Sequence, residues 1–262
     1  MQLEINIIKK DGTVACCEKN QDEVCLVYDG LYEQGDSIVI VSSEDHVHLA
    51  VQVDDALGDS QIYLTGRIIK YIVPFGEKRF NLSPKAFSGE KHYLYARAAT
   101  QPEIHNYRNL AVNKMDQFEE TGCYPHAEAN VATRGESVFA ARNAIDGIVI
   151  NRSHGHWPYT SWGINQQDDA EIRIKFGREV TIDKIVLYTR ADFPHDNWWK
   201  QITITFSDGD EILWNMEKND KPHVMEMEEK RVSWIKLSHL IKADDPSPFP
   251  ALSQIQVFGT DG

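Results

Sequence analysis

Residues 143–162 read NAIDGIVINRSHGHWPYTSW and crowd Asp146, Asn151, Arg152, His154, His156, Trp157 and Tyr159 into one loop-like stretch. Two later stretches share that character. Residues 190–199 read RADFPHDNWW and supply Arg190, Asp192, Phe193, His195, Asp196, Asn197 and Trp198, and residues 242–252 supply Asp244, Asp245 and Phe249. These residue types suit non-covalent recognition of a neutral polyol such as a sugar: an aromatic face covers the C–H patch of the ring, and planar or charged side chains satisfy hydroxyls in pairs. Trp157 or Trp198 is expected as the stacking platform, Arg190 and His156 as hydroxyl donors, and His195 with Asp196 as further polar contacts. Trp199 is expected to turn into the core. A competing chemistry would use His154, His156, His195, Asp192 and Asp196 as the general acid/base or metal-dependent site of a glycan-active enzyme. Against it, the chain carries no HExxH, GxSxG or phosphate-binding glycine loop, and His154 and His156 separated by one glycine make a poor zinc pattern.

Loops of this kind need a rigid scaffold, and the rest of the chain reads as β. Apolar residues alternate from Leu3 to Ile7 before an Asp11-Gly12 turn, and short β-branched and aromatic runs follow at 24–28, 37–41, 47–53, 62–73 and 93–96. Their spacing predicts a sandwich or barrel. His46 and His48 lie two apart on one strand face and are read as a solvated surface. Residues 98–122 lose the pattern and read as a semi-rigid connection, with Ile104, Tyr107, Leu110 and Val112 available to pack.

The pattern then returns more strongly. Ile172, Ile174 and Phe176 share one strand face, 182–188 reads as a buried strand, and Ile202, Ile204 and Phe206 precede a Ser207-Asp208-Gly209 turn. Ile212 and Trp214, then 232–237, then Ile255, Val257 and Gly259 mark further strands, the last pairing with an early one. The expected organisation is all-β: an N-terminal β-sandwich over 1–98, a connecting segment over 99–121 and a second β domain over 122–262.

Composition narrows the partners. Forty acidic against 27 basic side chains give a formal net charge of −13, which opposes attraction to nucleic acid or anionic lipid and is indifferent to a neutral sugar. No apolar run reaches the ~18 residues of a membrane span, and the N-terminus lacks a signal-peptide pattern. Cys16, Cys17, Cys25 and Cys123 include no CxxC pair, and adjacent Cys16 and Cys17 are poorly placed to bridge each other; free thiols are the expectation, which favours a reducing, cytoplasmic setting and leaves the compartment open.

Ala144-Ile145-Asp146-Gly147, Thr160-Ser161-Trp162, the strand of 171–177 ending in glycine, WKQITITFSDG over 199–209, Trp234-Ile235-Lys236-Leu237 and the closing strand 254–259 occur in the order and spacing of a known family. Over about residues 122–260 the chain resembles the discoidin, or coagulation-factor type C, domains, and among them the galactose-binding-like carbohydrate-binding modules. The resemblance implies a jelly-roll sandwich with ligand loops at one end and often a structural Ca2+ under the Ala-x-Asp-Gly turn. Carried over by position, the ligands would be the main chain at Asn143, Asp146, Thr160 and Gln254, with an amide at Gln254 where the family has a glutamate. Asp146 capping a tight turn before Gly147 is the reading that needs no metal. The resemblance also places Trp162 in the core, where strand patterns put Trp214 and Trp234 as well.

The resulting expectation is a non-catalytic carbohydrate-binding protein recognising a terminal galactose-like or related sugar. The alternatives are protein–protein recognition, including a second copy of this chain, and the metal-dependent glycan-active enzyme above. Membrane attachment is disfavoured because these loops are rich in Asp and His instead of basic and apolar spikes.

Overall fold

In a computed structural model, residues 1–150, 156–191 and 197–261 are described. The first half runs through β1 (Gln2–Ile8), β2 (Val14–Gln21), β3 (Glu23–Asp29), β4 (Ser37–Ser42), β5 (Val47–Gln52), β6 (Ser60–Leu64), β7 (Ile68–Ile72) and β8 (Lys91–Ala98). Period-two alternation sends Leu3, Ile5 and Ile7 of β1 inward, all fully buried. A sheet ordered β2-β1-β4-β7 faces a second sheet containing β6-β5-β8-β3, and both contribute to one core that includes Leu26, Ile38, Ile40, Leu49, Ile62 and Leu94. Full burial of an Ile- or Leu-sized side chain contributes about 1.5–3 kcal/mol, so this core is the main source of stability here.

Two details differ from the sequence reading. The run 62–73 is not one strand: it breaks at Thr65-Gly66-Arg67, and β6 and β7 lie in opposite sheets. Strand β2 has almost no inward face, its residues being exposed apart from half-buried Cys16, so it shows no alternation to read.

The connection is ordered. Thr100 and Glu103 form a capping box on the short helix α1 (Gln101–His105), which is followed by β9 (Arg108–Asn109). Leu110 and Ala111 enter the second core and Met115 the first. Strand β10 (Cys123–Tyr124), placed in the second unit by sequence, pairs with β6 and puts Cys123 in the first core.

The second half is built from β11 (His126–Ala129), β12 (Trp162–Gly163), β13 (Ile172–Thr189), β14 (Trp199–Phe206), β15 (Glu211–Asn215), β16 (His223–Lys242) and β17 (Ala251–Thr260), all antiparallel, in the order β12-β17-β13-β16-β14-β15 with β11 on β13 and β9 on β17. Strand β13 is long enough to serve both layers. Its pairing with β16 skips from Lys175↔Trp234 to Val180↔Val232, and the break holds Gly177 at φ +70°, where a Cβ would lie 2.2 Å from the Tyr124 ring. Only glycine fits there, and the sheet turns at that point over the core. Trp162, Phe176, Ile182, Trp199, Ile204, Phe206, Leu237 and Ile255 fill that core. The architecture is all-β sandwich, as the sequence predicts.

Trp162 and Trp199 are core residues with ring centroids 6.4 Å apart, and Trp214 packs against the core from its edge. Trp234 departs from expectation: it is half-buried outside the core, with the Arg173 guanidinium 4.6 Å from its ring centroid.

Candidate functional site

Strand register decides whether the three polar-aromatic stretches meet. Trp162 opposes Leu252 and Gly163 opposes Ala251, Thr189 opposes Leu252, and Trp199 opposes Lys242. These pairings form two groups, and the Trp162 and Trp199 rings, 6.4 Å apart, bring them together; the ends of β12, β13 and β16 and the starts of β14 and β17 therefore lie at one end of the sandwich, with the loops leaving them. Direct contacts join those loops. Arg190 N–H donates to Ala251 O at 3.0 Å and its Nη1 to Tyr159 O at 2.9 Å; Ala243 N–H donates to Trp198 O at 2.9 Å, and Asn197 Nδ2 to Ala243 O at 3.0 Å.

Within this end, His156 is exposed and Trp157, Tyr159 and Trp198 are half-buried. Aromatic surface is thus displayed while the backbone beneath is fixed. Arg190 is only 2% exposed. Its observed task is to tie the 156–160 loop to the end of β13, which differs from the outward hydroxyl donation expected of it. Asn197 likewise holds the turn, accepting Trp198 N–H at 2.6 Å. Phe249 is 45% exposed, and Asp245 is engaged with Lys218 at 2.9 Å. Of the remaining candidates, Asn151, Arg152, His154, Asp192, Phe193, His195 and Asp196 lie outside the described residues.

Beside these loops sits the Ala-x-Asp-Gly turn, at the end of a 3-10 segment, Ala141–Ile145. Asp146 is 6% exposed; its Oδ1 accepts Ile148 N–H at 2.8 Å and its Oδ2 has no partner. Burial raises its pKa to about 7, opposed by the charge of Arg142. Thr160 Oγ1 is also buried without a partner. Gln254 Oε1 accepts Gly147 N–H at 3.1 Å, which leaves that oxygen a second lone pair. The Asn143 carboxamide is committed to Ser137 O and Ser161 O, so only its main-chain oxygen is of use to an ion.

A buried carboxylate oxygen and a buried hydroxyl without hydrogen-bond partners each cost free energy. Their hard oxygen donors fit Ca2+, and the capping role of Asp146 is carried by its other oxygen.

Another group has metal-like spacing among the described residues: ligand atoms of Glu120, His126 and Glu128 lie within 4.8 Å of one another. There the protein supplies its own cation, since Lys175 Nζ sits 2.6 Å from Glu120 Oε2 and 2.7 Å from Glu128 Oε2. In the first half, His48 lies 4.9 Å from Tyr63 by ring centroids, and burial, with Arg178 nearby, lowers its pKa to about 4. That removes it from a solvated face and keeps it neutral.

Sequence reasoning missed the contribution of the first half to this end. Among the described residues the segment between β7 and β8 reaches it through hydrogen bonds: Ser137 Oγ donates to Glu77 O at 2.6 Å, the Asn81 and Asn143 carboxamides meet at 3.0 Å, and Trp157 N–H donates to Phe80 O at 3.3 Å. Nothing in the local pattern of 75–87 signals this, because the pairing is made between segments over 50 residues apart.

Residues 124–258, slightly over half of the chain, match the family described as "Domain of unknown function (DUF7402)". No curated protein matches the chain. Among solved structures it is similar to chitosan-binding module 1 from a chitosanase/glucanase of Paenibacillus sp. IK-5, at 18% identity and a TM-score of 0.41 over 58% of this chain and 98% of that one. A family 32 carbohydrate-binding module from C. perfringens NanJ, in complex with galactose, gives 19% and 0.39 over 50% of this chain and 91% of that one. A Ruminococcus gnavus GH29 fucosidase in complex with fucose gives 16% and 0.40 over 58% of this chain, which is 26% of the fucosidase.

Proposed function

The chain belongs to this family, DUF7402, and we propose that its second half is a non-catalytic carbohydrate-binding module whose ligand is a neutral sugar held at the shared loop end. The observation that carries this reading is the strand pairing together with the Trp162–Trp199 contact, which brings Trp157, Tyr159 and Trp198 to one end of the sandwich with His156 exposed beside them. Rigidly seated aromatic faces flanked by planar polar groups are what a sugar ring needs. Two of the carbohydrate-binding modules to which the chain is similar are described with chitosan and with galactose; a terminal galactose-like unit is the specific ligand proposed.

The reading also includes a structural Ca2+ held by Asp146, Thr160, Gln254 and the main chain at Asn143, supported by the partnerless Asp146 Oδ2 and Thr160 Oγ1. Bound there, the ion would neutralise the turn and fix the base of the loop end; it takes no part in chemistry. The proposed division is into two domains, one around each hydrophobic core.

A glycan panel run with the full chain, with calcium and then with a chelator, tests this. Selective binding to neutral glycans, lost in Trp157→Ala or Trp198→Ala, is expected. Silence across the panel at millimolar sugar, where single-sugar sites of this kind bind, would defeat it.

A further inference from the structure

Phe80 is 52% exposed, yet the segment that carries it is firmly rooted. It follows the 3-10 turn Gly76–Arg79 with its N–H on Glu77 O at 3.2 Å, and Leu82, Ala86 and Phe87 a few residues on are buried in the first core. On the other side it is clamped to the second half by the Ser137–Glu77, Asn81–Asn143 and Trp157–Phe80 hydrogen bonds described above. The ring therefore has little freedom to leave. It meets the His156 ring edge-on, with centroids 6.3 Å apart and planes at 85°.

An apolar ring held half in water beside an exposed histidine and a half-buried tryptophan contributes little to folding, because half of its area stays wet. What it does provide is a second pre-organised aromatic face next to the first, and rigid aromatic faces bind with little loss of conformational entropy. One sugar ring covers one such face. A second face supplied by the other half of the chain has a use only if the ligand continues past its first unit.

We propose that the binding end is composite: Phe80 of the first half forms, with His156, a subsite for the sugar unit next to the one held at Trp157, so the ligand is a neutral oligosaccharide of at least two units. This rests on the carbohydrate reading of that end and adds the ligand's length and the role of the first half. The formal charge of −13 selects neutral over acidic glycans.

The test is titration calorimetry on the full chain with matched probes, galactose against lactose and N-acetylglucosamine against N,N′-diacetylchitobiose. For the pair that binds, the disaccharide is expected to bind about three- to tenfold tighter than the monosaccharide, the range of one aromatic contact. Phe80→Ala should remove that advantage and leave monosaccharide affinity within about twofold, while Phe80→Tyr keeps it. The Trp157 N–H to Phe80 carbonyl bond is main-chain to main-chain and survives all these substitutions. Equal affinities for mono- and disaccharide in the wild type, or a Phe80→Ala chain that keeps the advantage or loses both affinities alike, would overturn the composite site alone. No binding of any of the four probes by the wild type would remove the carbohydrate reading and this inference with it.

Discussion

Two carboxylates of the second half are buried to the same extent and treated in opposite ways. Asp261 and Asp146 are each 6% exposed. Asp261 receives Arg178 through two nitrogens, Nη2 at 2.6 Å from Oδ2, and Arg108 Nη2 at 2.9 Å. Burial alone would raise its pKa, but the two guanidinium groups more than reverse that and hold it below the usual carboxylate range. Asp146 has a single backbone donor on one oxygen and nothing on the other, and burial drives it up to about 7. The Asp261 region, where Arg178 also lies 4.9 Å over Tyr63 of the first half, is electrostatically complete and joins the two halves. The Asp146 turn leaves one carboxylate oxygen without a donor from the chain. Equal burial therefore identifies neither site; the count of donors does.

The largest effect expected from breaking this contrast is at the completed end. Asp261→Ala leaves two arginines facing each other in a partly closed interface, and removing one partner of such a network costs about 3–5 kcal/mol. Urea unfolding should show that loss. Because the pKa of Asp261 is lowered on folding, its contribution is present above the unfolded carboxylate pKa and disappears as pH falls through the folded value. A loss under ~1 kcal/mol would mean the network is no better than a surface ion pair.

Asp146 carries the opposite sign. Its pKa rises from 3.8 to about 7, so its favourable contribution is full below about 4 and is lost as pH climbs to about 7. In chelator, Asp146→Asn should therefore gain on the wild type between pH 4 and pH 8, by on the order of 2–4 kcal/mol from a shift of this size. Millimolar calcium should reverse the ranking at pH 8, stabilising the wild type more at pH 8 than at pH 5.5 and leaving the variant unmoved. Parallel pH curves for the two proteins would show that Asp146 is not the strained group described here.

Much of the scaffold was legible because its strands obey period two: Ile172, Ile174 and Phe176 in β13 alternate in sequence and in burial, and Ile202, Ile204 and Phe206 in β14 alternate in sequence and are all buried, with Thr203 buried between them. The break at residues 65–67 was not, since Ile62 to Val73 carries apolar residues on both sides of it, and β2 was invisible because a strand with no buried face has no pattern. Asp146, Thr160 and Gln254 are candidates by the family resemblance, and the structure adds what a resemblance lacks, the unpartnered oxygens of Asp146 and Thr160. Arg190 shows the limit of reading by residue type. An arginine in an aromatic loop looks like a ligand donor, and whether it faces out or ties down Tyr159 is set by tertiary packing. Phe80 lay beyond reach for a related reason: its neighbours His156 and Trp157 come from the other half.

The smallest of these effects separates an ion site from a merely imperfect core. Thr160 Oγ1 is buried without a hydrogen bond, so its hydroxyl is desolvated on folding and recovers nothing. Valine has nearly the same shape and no polar atom. In chelator, Thr160→Val should be neutral or stabilising by about 1 kcal/mol, the reverse of the usual penalty for altering a buried threonine that bonds. In calcium it should weaken the ion's hold, measured as a smaller calcium-induced rise in Tm than in the wild type. If the substitution destabilises the chelated protein instead, the hydroxyl has a partner within the chain, and the Asp146 turn would lose the second of the two open oxygens that set it apart from Asp261.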